Sequence, residues 1–321
     1  MQVNEATAAR ATPYRAYFVI LLAIVATSSA AILIRYALDA DMPPLLIAAA
    51  RLAIAALALT PLALRGHKQQ MAHLSRRELS LIIVSGLCLA VHFTAWVSSL
   101  QFTTVLVSVV IVSTGPIWVA ILEVLFLHIR LSRLVVAGLL IALAGGVIIG
   151  LPINSGAELT ARGADDLSAT TTGALLAWIG ALSVSVYMLI GRVLRTRLHV
   201  IPYVWLVYGV AAICACTVIL LTATGITGYA AEGYAVLLAM GLIPQLLGHS
   251  SLNYLLEYFP AALVSMFSQL EPLGSALLAL ALFRELPPQQ QIAGSIIIVI
   301  GVLVASRGEF HQSKSKRHVT D

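Results

Sequence analysis

Residues 261–283 read AALVSMFSQLEPLGSALLALALF, an apolar run interrupted by one carboxylate, Glu271, set directly before Pro272. A helix needs about 20 apolar residues to cross a bilayer, and this run is long enough. A strand of a closed barrel would alternate apolar and polar positions, which this run does not. An acidic side chain near the middle of such a helix costs roughly 2.5–3.5 kcal/mol. The proline lacks an N–H and frees a carbonyl one turn earlier. The stretch therefore reads as a membrane span with a weak point beside a buried acid.

Working outward, nine more runs share its character. The expected spans are 16–38, 44–64, 78–100, 103–127, 132–151, 172–192, 201–224, 233–257, 260–283 and 288–306. The composition agrees: 60% of the 321 residues are hydrophobic and 10% charged, against about 25% charged in soluble domains. Mean hydropathy is +0.96. The fold class expected is an all-α integral membrane protein of ten transmembrane helices. Arg10 and Arg15 precede the first run as in a signal peptide, but the run is too long for one and has nine similar followers. Cys88, Cys214 and Cys216 lie inside apolar runs, where cysteine is a small hydrophobe, so neither a disulfide nor a metal site is expected.

Charge orients the chain. With the N-terminus inside, fifteen Lys and Arg residues fall on the inner segments and three (Arg35, Arg162 and Arg284) on the outer ones. The positive-inside rule then places both termini in the cytoplasm, with the chain in the cell (inner) membrane. The net charge of +5 comes without a basic stripe carrying interleaved aromatics, so no nucleic-acid partner is expected.

The chain also repeats itself. At an offset of 156, Pro116 matches Pro272, Ala120 matches Ala276, Gly138 matches Gly294 and Gly145 matches Gly301. At 157, Ser28 matches Ser185, Arg35 matches Arg192, His92 matches His249, and Leu106-Val107-Ser108 matches Leu263-Val264-Ser265. Matches kept in order at nearly one spacing indicate an internal repeat. Five spans is an odd number, so the second unit enters the membrane from the other side, giving two inverted five-helix repeats. Residues 16–151 form the first and 172–306 the second. A Ser-, Thr- and Gly-containing linker spans 152–171, and 307–321 is a cytoplasmic tail.

Polar residues recur on single faces. Gln245, His249 and Asn253 follow each other at intervals of four, a drift of about 40° per step. Ser268, Glu271 and Ser275 share a face of the ninth span, and Ser85, Cys88, His92, Trp96 and Ser99 one of the third. A polar face in lipid must look inward. The candidate substrate-binding residues are therefore His92, Trp96, Tyr187, Gln245, His249, Asn253 and Glu271. For each, helix-to-helix hydrogen bonding is the plainer alternative. Arg51 is expected to be structural, pairing with Glu271 or Asp39, at a depth that allows partial reach to the outer face; attraction of an anionic substrate group is the alternative. Glu123 is expected to reach interfacial water or Arg130, and Glu285 to cap a span end. Gly146-x-x-x-Gly150 permits close packing within the chain, with a homodimer contact as the alternative.

Ala50-Arg51-Leu52-Ala53, His92-Phe93-Thr94-Ala95-Trp96, Gly248-His249-Ser250-Ser251-Leu252-Asn253-Tyr254, Leu263-Val264-Ser265, Glu271-Pro272 and Glu285 together resemble the drug/metabolite transporter superfamily. The likeness is to its EamA type, as two tandem units covering all but the two tails. It implies a substrate path surrounded by spans 1, 3, 4, 6, 8 and 9, with 5 and 10 peripheral. Two departures stand out. His128-Ile129-Arg130 occupies the place of a Gly-Glu-Arg after the fourth span, and Gly115-Pro116 stands where the second unit has Glu271-Pro272.

The function expected is a secondary transporter that exports small polar metabolites such as amino acids by alternating access. Its partners are a small-molecule substrate and the lipid bilayer, and it needs no cofactor. No Gly-Lys dipeptide occurs, so no Walker A loop is present for ATP. A broad drug-efflux protein is the alternative; 22 aromatics in 321 residues lean against it. A membrane enzyme would need a nucleophile–base pair or a metal cluster, and neither His-Glu-x-x-His nor Gly-x-Ser-x-Gly is found. No catalytic residue is assigned. A sensor without transport would carry an appended domain.

Overall fold

The computed structural model describes residues 14–103, 105–150, 167–284 and 286–317. Glu285 and most of the expected linker, 152–166, lie outside the described residues. Ten helices are long and apolar enough to cross a membrane: α1 (Tyr14–Asp39), α2 (Pro44–Gly66), α3 (Arg76–Ser99), α4 (Val110–Leu127) and α5 (Arg133–Gly150) in the first unit. The second holds α6 (Thr170–Arg195), α7 (Val200–Leu221), α8 (Ala231–Leu255), α9 (Ala261–Phe283) and α10 (Gln289–Glu309). Past its span, the α10 helix runs on to Arg317, into the expected tail.

Local sequence sets several starts. Pro44 opens α2 in the first turn, where its missing N–H is no loss. Ser75 and Glu78 form a reciprocal capping box at the start of α3: the Glu78 N–H donates to Ser75 Oγ at 3.2 Å, and the Ser75 N–H to Glu78 Oε2 at 2.9 Å.

The packing shows the repeat directly. Helix α1 packs on α8 and α9, and its counterpart α6 packs on α3 and α4. Helix α2 packs on its own counterpart α7, and α5 on its counterpart α10. Each contact thus maps onto another when the two units are exchanged, as a pseudo-two-fold axis requires. The glycines matched in sequence flank that axis, each meeting the mate of the other. A Cβ at Gly138 would sit 2.4 Å from the Gly301 carbonyl oxygen, and one at Gly145 would sit 2.6 Å from that of Gly294. The contact is reciprocal, and only glycine lets the two backbones approach so closely. Gly146, by contrast, would place a Cβ 3.4 Å from the Ser113 side chain, an ordinary contact, so the closest backbone approach runs through Gly138 and Gly145.

Arg15, at the start of α1, reaches Tyr258 just beyond α8, and Gly308, at the end of α10, packs beside Ser132 and Leu134 at the start of α5. Both ends of the described chain therefore lie at one end of the bundle, called here the terminus end; the opposite end is the far end.

Candidate functional site

The helix breaks come first because they position everything else. The α4 helix begins at Val105, stops at Val112 and restarts at Gly115–Leu127; α9 is helical over Ala261–Ser268 and restarts at Glu271–Phe283. Pro116 and Pro272 occupy the first turn of each restart, where a missing N–H does no damage. Before each restart the chain tightens to bonds three residues back, Thr114 N–H to Ile111 O and Leu270 N–H to Phe267 O, both 3.1 Å.

Side chains from the other unit pin both breaks. Ser28 Oγ of α1 donates to the Glu271 carbonyl at 3.2 Å, and its repeat-mate Ser185 of α6 lies 3.1 Å from the Gly115 carbonyl, sharing its one proton with the Ala181 carbonyl of its own helix at 2.7 Å. Gln269 Nε2 donates to the Ser113 carbonyl at 2.6 Å, joining one break to the other. The serine match found in the sequence is therefore a pair of cross-unit hydrogen bonds.

Beside the breaks, α8 is wound as a π-helix over Gly241–His249, with Pro244 inside it. Such windings are rare and gather at functional sites. The counterpart stretch of α3 is regular α-helix. Four-residue spacing alone did not reveal this; the signal was a proline in mid-span.

Arg51 lies at the centre, 4% exposed, and reaches neither the outer face nor Asp39. Its Nε donates to Gln245 Oε1 at 2.9 Å, and its guanidinium lies 4.2 Å from the centre of the Phe93 ring. The other side of the cluster follows from Phe93, whose ring meets that of His249 edge-on at 5.8 Å. No ion pair within 4.0 Å joins Arg51 to Glu271 among the described residues.

The seven candidates divide. Gln245 bonds to Arg51, His249 lies on the other edge of the Phe93 ring that Arg51 covers, and Glu271 sits at the α9 break, where its carbonyl accepts from Ser28. His92 Nδ1 lies 2.9 Å from the Gly180 carbonyl oxygen and donates to it, so Nδ1 carries the proton; the ring stacks at 6.2 Å on Trp96. Tyr187 and Asn253 bond to each other, one turn nearer the terminus end, and Asn253 Nδ2 also donates to the His249 carbonyl at 2.7 Å. Tyr208 stands close to the Gln245 and Asn253 amides, but its hydroxyl has hydrogen-bond geometry only with Ser250, at 3.3 Å. That leaves Gln245 Nε2, Asn253 Oδ1 and Trp96 Nε1 buried without partners. Native proteins rarely leave such groups unsatisfied.

Glu123 departs from the sequence reading. It is fully buried rather than interfacial, and its two carboxylate oxygens accept the N–H groups of Ala261 and Ala262 at 2.7 and 3.0 Å. It caps the start of α9 from the other unit, where the helix leaves donors unpaired. Nearby, Arg195 pairs with Glu257 at 2.7 Å and donates to the Asn253 carbonyl, while Arg192 donates to that of Leu256 at 2.6 Å.

Two tandem units, crossed contacts and a polar centre at paired breaks now stand together, and the EamA-like transporter family model matches residues 14–151 and 171–307. The chain belongs to the EamA-like transporter family. It is a multi-pass membrane transporter. A solved crystal structure superposes with a TM-score of 0.75 at 20% identity, over 92% of this chain and 97% of that one, which shows a shared fold. No curated protein matches the chain. Among the described residues, no group of three or more His, Cys, Asp or Glu is placed to hold a metal ion.

Proposed function

We propose that this EamA-like protein is a secondary transporter that exports small polar metabolites, amino acids among them, by alternating access. The observation that carries the reading is the centre of the bundle. There Arg51, Glu271 and His249 lie beside a paired helix break and a π-helical turn, and Gln245, Asn253 and Trp96 keep polar atoms without protein partners. Buried polar groups left open in this way suit a solute that completes them. Breaks beside ionisable groups at a repeat interface are also where transporters bind cargo.

Burial supports a rocking cycle. Among the residues whose burial is described, those buried in α4 and α9 lie mostly in the terminus-end half, Gly115, Pro116, Val119, Ala120 and Glu123 in one and Ala261 through Phe267 in the other, with Ser108 and Ala276 the far-end exceptions. Residues 110–114 and 268–275 are half-buried. With the termini cytoplasmic by charge, the centre is closed to the cytoplasm and looser towards the outside. A proton gradient or the solute's own gradient supplies the energy.

The test compares metabolites secreted by cells that overexpress the protein with those secreted by deletion cells. Enrichment of a small polar solute in the medium, lost in the Glu271→Gln variant, is the expected result. Unchanged secretion together with raised resistance to apolar cations would instead select the drug-efflux reading.

A further inference from the structure

Helices α4 and α5 follow each other in the chain, yet the α4 restart, Gly115–Leu127, scarcely touches α5. Its counterpart in α9, Glu271–Phe283, packs on α10. The splay in the first unit leaves a groove of about 280 Å³ lined by apolar side chains. Ile121, Val124 and Leu125 form one wall and Val136 and Leu140 the other, and all five are exposed. Glu123 points the other way, into the Ala261 and Ala262 N–H groups. The groove therefore lies on the back of α4, where a membrane protein meets lipid.

The groove has a defined depth and a defined mouth. Helix α4 runs about 15 Å from Ile117, the deepest lining residue, to its end at Leu127. That is the hydrocarbon depth of one leaflet, half of about 30 Å. Leu131 also lines the groove, so the loop between α4 and α5 forms its rim at the terminus end. Both sides of this loop are fixed: His128 closes α4 at φ 52°, and Ser132 Oγ accepts from the Val135 N–H at 3.2 Å as α5 begins. Arg130 and Arg133 flank Leu131 on the rim, both exposed. In the mirror loop Leu286 and Gln289 stand in place of the two arginines.

An apolar slot one leaflet deep, with two cations at its mouth, matches an acyl chain that ends in an anionic headgroup. We propose that the α4/α5 groove is a site for an anionic phospholipid of the leaflet at the terminus end, with one chain between the helices and the phosphate on Arg130 and Arg133. Charge bias puts that end in the cytoplasm, and the cytoplasmic leaflet is the anionic one. The site stands apart from the polar centre, whatever solute is carried there. Each arginine near the surface favours an anionic lipid about fivefold, and two together about thirtyfold.

The test uses the full chain, purified in detergent and stripped of lipid. It is titrated with dioleoyl phosphatidylglycerol or dioleoyl phosphatidylcholine, and native mass spectrometry reads the Kd of the first bound lipid. Phosphatidylglycerol is expected to bind about thirtyfold tighter. Arg130→Gln with Arg133→Gln should bring it to the phosphatidylcholine value, and either change alone should weaken it about fivefold. Leu140→Trp fills the groove with the charges untouched and should weaken both lipids. If Leu140→Trp does not fold, Val136→Trp blocks the same wall one turn away. Arg76→Gln with Arg77→Gln removes two exposed cations at the start of α3, on the same end, and should change neither Kd. Equal affinity for the two lipids overturns the proposal. An equal loss in the Arg76 and Arg77 variant does so too, since it marks a diffuse basic surface. Glycerophosphoglycerol, the headgroup without chains, separates a lipid from a soluble phosphate: binding as tight as the lipid's, unmoved by Leu140→Trp, overturns the lipid site. A dimer in light scattering that Leu140→Trp dissociates, with no lipid bound, would give the groove to a second copy and overturn it as well.

Discussion

Helices α4 and α9 each run eight helical residues, turn, and resume at a proline for thirteen more, ending on a left-handed residue, His128 at φ 52° and Arg284 at φ 58°. Their breaks take the same serine hydrogen bond from the opposite unit. Yet one break carries Glu271 where the other has Gly115, and one restart carries the buried Glu123 where the other has Ala279. The partner span α8 has a π-helical stretch that α3 lacks. The scaffold obeys the repeat; the charges do not. A shared backbone plan gives both breaks the same form, which is what the proposed rocking of two units about one axis requires, while the unequal charges set the two halves apart.

The sharpest attack on the shared scaffold is at the α5/α10 seam. Gly138→Val drives a side chain into the Gly301 backbone and should cost more than about 3 kcal/mol, enough to abolish folded protein. Gly146→Ala, meeting only Ser113, should be tolerated. Thermal unfolding in detergent reads both, and equal losses would refute the placement of the axis.

The unequal charges come next. Glu123→Ala uncaps two buried N–H groups at the start of α9 and should cost about 3 kcal/mol, whereas Ala279→Ser at the mirror position should cost little. Thiol labelling of a Ser265→Cys reporter from the terminus end should also quicken in the Glu123→Gln background, because α9 is held there.

A smaller effect tests symmetry itself. Ser28→Ala and Ser185→Ala each remove one cross-unit bond at a break and should lower stability by similar amounts, about 1 kcal/mol each. A loss at only one site would show that the two breaks are not energetically equivalent.

The smallest effect lies outside the membrane, where His199 stacks on His67 with ring centres 4.5 Å apart. Burial, then the neighbouring His67 ring, lowers the His199 pKa below its ordinary 6.5. The native state therefore binds fewer protons than the unfolded chain as pH falls below about 6.5, and stability declines down to the lowered native value. Melting temperature should drop slightly over that window, and less in His199→Gln. A drop of the same size in the variant would remove His199 as its source.

The sequence carried the spans because a bilayer requires runs of apolar residues, and that demand is written locally. It carried the repeat because Gly138, Gly145, Pro116, Ser28 and their mates each serve a backbone contact that tolerates no substitute of another shape. Glu271, His249 and Gln245 were legible for the same reason: polar groups on an apolar face stand out. Glu123 was misread because a sequence gives depth along a helix and not the neighbour across from it. It lies where a long side chain can snorkel, and only the packing of α4 on α9 turns it inward; for Arg51 the packing of α2 on α8 picks Gln245 as the partner, which the sequence did not name.

Amino-acid order alone determined ten membrane helices in two similar units, since hydropathy and spacing are properties of a single chain segment. Tertiary structure decided which unit contacts which, that a carboxylate from α4 starts α9, and that Arg51 of α2 turns inward onto Gln245 of α8. Those are relations between segments more than a hundred residues apart, and only the folded arrangement brings them to the same place.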